Sequence, residues 1–196
     1  MSLLAELGIG DEVNIGDVEK KLAGGDLPPE GVHHAVLTQV GAIPNADGRG
    51  WKMTFEILAG PGKGAQIEEV LWKPKGDDEK KDAKIKNRVL LFMHRLGLLV
   101  DAPGGQGKAV PAPGKHDFCD CLGATTFIEI KHEKREYEGK TGKREITEAR
   151  ITFGGLYAAD DKKCKDVPKA SGQAAAAAVS GKATAAAKAK DELDGI

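Results

Sequence analysis

Between Trp51 and Trp72 the chain reads WKMTFEILAGPGKGAQIEEVLW, and this stretch constrains the fold more than any other. Trp51, Met53, Phe55 and Ile57 share one parity; Lys52, Thr54 and Glu56 share the other. Successive side chains of a β-strand point to opposite faces, so the apolar set meets a core and the polar set meets solvent. Gly60, Pro61, Gly62 and Gly64 then supply a turn, because glycine takes positive φ without a steric penalty and proline presets the bend. A second strand over about Ala65–Trp72 completes a hairpin and runs into Lys73 and Lys75.

The flanking segments extend this hairpin into a sheet. Asp26–Gly31, with Pro28 and Pro29, reads as an extended lead-in, because proline cannot donate to a ladder. Val32–Ile43 is a strand candidate with apolar residues on both parities, which fits burial on both faces or a bulge. Residues 44–50, PNADGRG, are turn chemistry. From about Glu79 to Leu99 the period changes: Ile85, Val89, Phe92, Met93 and Leu96 recur at spacings of three and four, as on an amphipathic helix. Asp77 or Asp78 suits its N-cap, and Gly97 its end. Residues 101–115 read as a Gly/Pro loop, and Asp117–Leu122 as one short turn.

Two more strands follow, Ala124–Tyr137 and Arg144–Leu156, joined by EGKTGK. On the first, Ile128 and Ile130 point one way and Phe127, Glu129, Lys131, Arg135 and Tyr137 the other. On the second, Ala149, Ile151 and Phe153 are expected inward and Arg150 and Thr152 outward.

The expected fold is mainly β with one helix. Three strands, a helix and two strands (β-β-β-α-β-β) is the order of a five-stranded antiparallel OB-like barrel. Residues 1–26 form an acidic arm, 27–160 the barrel domain, and 161–196 an Ala/Lys-rich flexible tail without large apolar anchors. A plain antiparallel sheet with one packed helix is the alternative.

Several of these segments together resemble a known family. They are Leu27-Pro28-Pro29-Glu30-Gly31, the strand Trp51–Leu58 running into Gly60-Pro61-Gly62-Lys63-Gly64, Arg95-Leu96-Gly97-Leu98 and the Leu122-Gly123 step. Over roughly Leu27–Tyr157 the chain resembles the phage-encoded single-stranded-DNA-binding proteins long classed as a domain of unknown function. The resemblance implies an OB-like fold and binding of single-stranded DNA in phage replication or recombination. The C-terminus resembles the acidic tip of bacterial and phage single-stranded-DNA-binding proteins. By that resemblance Asp191, Glu192, Leu193, Asp194 and Ile196 would recruit replication or recombination partners. The tip differs from the usual form in its short acidic run and in ending on Ile instead of Phe.

Single strands are held by aromatic faces inside a cationic groove. Trp51, Trp72 and Tyr137 are the candidate platforms. Lys52, Lys73, Lys75, Lys131, Arg135, Lys140, Lys143, Arg144 and Arg150 are the candidate phosphate contacts. The parity of Trp51 fits a core residue equally well, and a Trp such as Trp72 at a strand end also caps barrels. Glutamates between the cations also fit a solvated mixed-charge surface. Residues 31–165 carry 23 basic and 19 acidic groups, a balance that suits a polyanion without requiring one.

Other chemistries find less support. Gly60–Gly64 lacks the Lys-Ser/Thr ending of a phosphate loop. No nucleophile-base arrangement or acidic pair is evident, so no enzyme activity and no cofactor are expected. Cys119-x-Cys121 is tighter than usual zinc spacing, and Cys164 stands apart; with His116 they make a poor ligand set, and a small buried residue is the better reading of Cys119 or Cys121. Three cysteines without a framework, and no signal peptide or membrane span in the reading, point to the cytoplasm, which the family resemblance implies to be that of a bacterial host. Self-association into a homo-oligomer stays open. A protein-interaction module that recruits recombination or structural partners is the competing reading.

Overall fold

The computed structural model describes residues 27–43, 48–104, 107–139 and 142–171. The arm 1–26, Lys140 and the tip Asp191–Ile196 lie outside them, as do the side chains of Tyr137, Lys143 and Arg144. The described chain is mainly β with one helix. Strands β1 (Gly31–Ala42), β2 (Gly50–Ile57), β3 (Gln66–Trp72), β6 (Thr125–Gly139) and β7 (Gly142–Tyr157) form one antiparallel sheet in the order β3-β2-β1-β6-β7. The Gly/Pro region contains a small separate hairpin that periodicity does not signal, β4 (Leu99–Asp101) with β5 (Ala109–Pro111). Three-residue strands are too short to show an alternation.

The hairpin expected from Trp51–Trp72 is β2 and β3. Met53, Phe55, Ile57, Ile67 and Leu71 enter the core. Its turn passes close to the lead-in: a Cβ on Gly62 would lie 2.8 Å from Pro28 Cβ, and Gly62 has φ +84. The lead-in is itself tied to the sheet. His132 donates its backbone N–H to Glu30 Oε1 at 2.7 Å, and the His33 ring lies 2.7 Å from Pro29 O.

β1 is both bulged and buried on both faces. Its register shifts between Leu37 and Gln39, and Ala35, Val36 and Leu37 are all fully buried. Ala35 and Leu37 join the main core; Val36 and Leu58 form a second cluster on the opposite face, closed by Ala170. The chain after β7 makes that cover. A 3₁₀ turn at Lys162–Cys164 buries Cys164, and the following strap brings the Ala170 N–H to His34 Nδ1 at 3.0 Å. Lys169 lies over the Phe127 ring, and His34 stacks on its plane at 4.9 Å. Cys164 and Ala170, expected in the tail, therefore pack against the body. Small residues fit this groove, so no large apolar anchor marks it in the sequence.

Helix α1 (Glu79–Arg95) begins at Asp78, whose carboxylate accepts from the Lys81 N–H. It ends in a Schellman turn: Gly97 (φ +76) donates to His94 O and Leu98 to Met93 O. Its C-terminal half buries Phe92 edge-on to Phe55, followed by Leu96 and Leu98. Midway, Arg88 reaches Glu69 of β3 at 2.8 Å, and both side chains are nearly buried. Burial pushes the Glu69 carboxyl up, and the Arg88 charge opposes that shift. Removing one partner of such a pair leaves a desolvated charge, at about 3–5 kcal/mol.

The β6–β7 pairing corrects the inward expectation for Phe153. Ile128 pairs with Leu156, but Ile130 pairs with Ile151. Thr152–Gly155 therefore bulge opposite the single residue Glu129. The bulge is pinned: Thr152 and Tyr157 hydroxyls both donate to Glu129 Oε2, at 3.2 and 2.5 Å. A Cβ on Gly155 would collide with Thr152 Oγ1 and the Glu129 backbone. Phe153 is turned outward and is 55% exposed, the most exposed large apolar side chain among the described residues.

Candidate nucleic-acid interface

Two surfaces hold five of the residues singled out from sequence, Trp72, Lys73 and Lys75 on one and Lys52 and Arg150 on the other. The first lies where β2 and β3 end side by side. Gly50 pairs with Trp72, and the Lys73 N–H donates to Arg49 O at 2.7 Å. Only glycine fits here, because a Cβ on Gly50 would lie 2.4 Å from Leu71 O. Beyond this close pass Trp72 stands 45% exposed beside the N-terminal half of α1. Arg49, Lys73, Lys75, Lys81 and Ile85 line a cleft of ≈ 280 Å³ with it. Two carboxylates, Asp77 and Asp82, share that wall. Asp82 is turned into the preceding loop, accepting from the Lys75 and Gly76 N–H groups at 3.1 and 2.5 Å. The cleft thus offers an aromatic face and four cations, the combination that grips a base and its phosphates. Arg49 and Lys81 were not singled out from sequence; they reach the cleft from a turn and a helix, and nothing local ties either to Trp72.

Trp51 occupies a different position. It is half-buried on the core, edge-on to Phe118 at 5.1 Å, with Lys73 Nζ 4.8 Å from its ring centroid. It supports the cleft by holding Lys73.

The second surface lies between the edge strands β3 and β7, where Gln66, Glu68 and Val70 face Ile146, Glu148 and Arg150 across a groove of ≈ 690 Å³. Its cations meet carboxylates. Lys52 pairs with Glu68 at 2.8 Å. Arg150 binds Glu148 through Nε and Nη2, at 3.1 and 2.6 Å. Arg135 lies 3.4 Å from Glu133 and 4.0 Å from Glu148. Lys131 is exposed opposite Arg150 in the ladder. Arg144 pairs with Tyr137, and Lys143 with Glu138, by backbone register. The candidate residues thus divide: Trp72, Lys73 and Lys75 come together, while Lys52 and Arg150 line a charge-balanced groove and Arg135 stands on neighbouring β6, 4.0 Å from Glu148.

Among the described residues no three His, Cys, Asp or Glu side chains gather as a metal site. Cys119 is exposed, Cys121 and Cys164 are buried, and desolvation holds all three thiols above their ordinary range. No described helix is long and apolar enough to cross a membrane. Comparison with protein-family models, curated proteins and solved structures returns no match to this chain.

Proposed function

We propose that the protein is a non-enzymatic single-stranded-DNA-binding protein of the phage replication or recombination type, built on an OB-like barrel and binding with low sequence preference. The observation that carries this reading is the exposed Trp72 face walled by Arg49, Lys73, Lys75 and Lys81. An aromatic face stacks any base, and cations contact the backbone without reading sequence. The barrel reading draws support from strand order: β3-β2-β1-β6-β7 is the OB succession opened at one seam. At that seam β3 and β7 approach within 8 Å between Cα atoms, and α1 lies across both.

Fluorescence titration with single- and double-stranded oligonucleotides over a range of salt tests the proposal. Trp72 emission changes on single strands first. Affinity for single strands falls with salt by a log–log slope of about −0.7 per phosphate contact, so up to about −3 for four cations. A salt-independent response, or none, sinks it.

A second reading rests on the charge-balanced β3–β7 groove, where Ile146 stands 46% exposed among paired ions. Such a mixed surface suits a protein partner, making the barrel a recruitment module. Retention of recombination proteins by a Trp72→Ala variant that has lost DNA would favour it.

A further inference from the structure

We infer that Phe153, on the pinned bulge of β7, is a second base-stacking platform serving the same single strand as the Trp72 cleft. The inference rests on the DNA-binding reading and extends its footprint.

Four observations converge on it. The bulge reverses what the strand would otherwise do. Continued alternation from Ile151 would send Phe153 into the core; instead four residues oppose Glu129, and the ring faces solvent. Bulges next to functional sites commonly re-aim a side chain in this way. The projection is also held firmly, by the Thr152 and Tyr157 hydrogen bonds to Glu129 and by the tight fit at Gly155. A ring fixed in this manner loses little conformational entropy when a base stacks on it.

The ring is backed by charge. Arg88 Cζ lies 4.9 Å from its centroid, so one face rests against a guanidinium already anchored by Glu69. A base stacking on the remaining exposed surface completes a layered arrangement of base, ring and cation.

Phe153 is connected to the Trp72 cleft by a continuous stripe. Lys81 and Ile85 line the cleft, and Arg88 follows on the same helical face, at spacings of four and three. Lys81 to Arg88 spans about 10 Å along α1 at roughly 1.5 Å per residue. Along β3 the run from Trp72 to Glu69, the partner of Arg88, is about 10 Å as well. One short run of nucleotides can therefore reach both rings, with Lys81 beside it and Arg88 held beneath Phe153 by Glu69.

The test compares Phe153→Ala, Phe153→Tyr and Trp72→Ala with the wild type by titrating a fluorescently labelled oligo-dT at fixed low salt. Thermal melting checks each fold. Phe153→Ala is expected to weaken binding about tenfold with little change in melting temperature, and Phe153→Tyr to hold near wild-type affinity. Wild-type affinity in Phe153→Ala alongside a loss in Trp72→Ala overturns the platform and leaves the cleft standing. Equal losses in Phe153→Ala and Phe153→Tyr also overturn it, because stacking tolerates the hydroxyl. Failure of the wild type to bind removes the DNA reading itself, and the platform with it.

Discussion

The Trp72 cleft and the β3–β7 groove both carry cations, yet they are different surfaces. In the cleft four cations, Arg49, Lys73, Lys75 and Lys81, stand beside an aromatic face with two carboxylates, Asp77 and Asp82, and Asp82 is occupied by backbone N–H groups. In the groove Lys52 and Arg150 each have a carboxylate within 2.8 Å, and Arg135 beside it has one at 4.0 Å. Counting Lys and Arg does not identify a polyanion site; what matters is where the nearest carboxylates spend their charge.

The comparison breaks most directly at Trp72. Trp72→Ala is expected to cost about tenfold or more in single-strand affinity, read by titration with labelled oligonucleotide, without loss of fold. A smaller but diagnostic effect comes from charge. Lys75→Gln with Lys81→Gln should reduce the salt slope by about 1.4, close to 0.7 per lost contact. The groove should barely respond to the same treatment: Arg150→Gln is expected to change affinity less than about twofold, since an ion already paired offers little to a phosphate. Removing an acid instead sharpens the contrast. Glu68→Gln removes the carboxylate 2.8 Å from Lys52, and a modest gain in affinity at low salt, lost at high salt, would show that pairing was what silenced this part of the groove.

The smallest effect concerns the strap on the far face. Burial, with Lys169 nearby, holds the His34 imidazole below its ordinary value, and its Nδ1 must be unprotonated to accept from Ala170 N–H. The folded state thus binds this proton less readily than the unfolded one. The stability from this contact is present at neutral pH and falls as pH drops below about 6.5. The melting temperature of the wild type should decline over that range, and His34→Gln should flatten the part due to His34.

The legible part of the fold was the part with an uninterrupted period. Trp51–Ile57 and α1 announced themselves because one face of each meets the core. Trp72, Lys73 and Lys75 were legible as a site because they are neighbours in the chain at a strand end. Their companions Arg49 and Lys81 arrive from elements that only tertiary packing brings together. The pairing of Lys52 with Glu68 and of Arg150 with Glu148 depends on cross-strand register and side-chain direction, which composition does not encode. The strap was hidden for another reason: only the small Ala170 packs on Val36 and Leu58, while Pro168 and Lys169 stay exposed, so the contact leaves no apolar signature.

The β7 bulge also works as a phase corrector. Ile151 and Leu156 are five positions apart, an odd interval that would place them on opposite sides of an unbroken strand, yet both are buried. The three surplus residues absorb the mismatch. Excising Phe153, Gly154 and Gly155 would leave Thr152 alone opposite Glu129, whose carboxylate it already contacts, and Ile151 and Leu156 two positions apart in an ordinary ladder. The core can do without the insert. The bulge is thus a detachable module: a three-residue deletion would remove the exposed ring and keep the pairing of Ile130 with Ile151 and of Ile128 with Leu156.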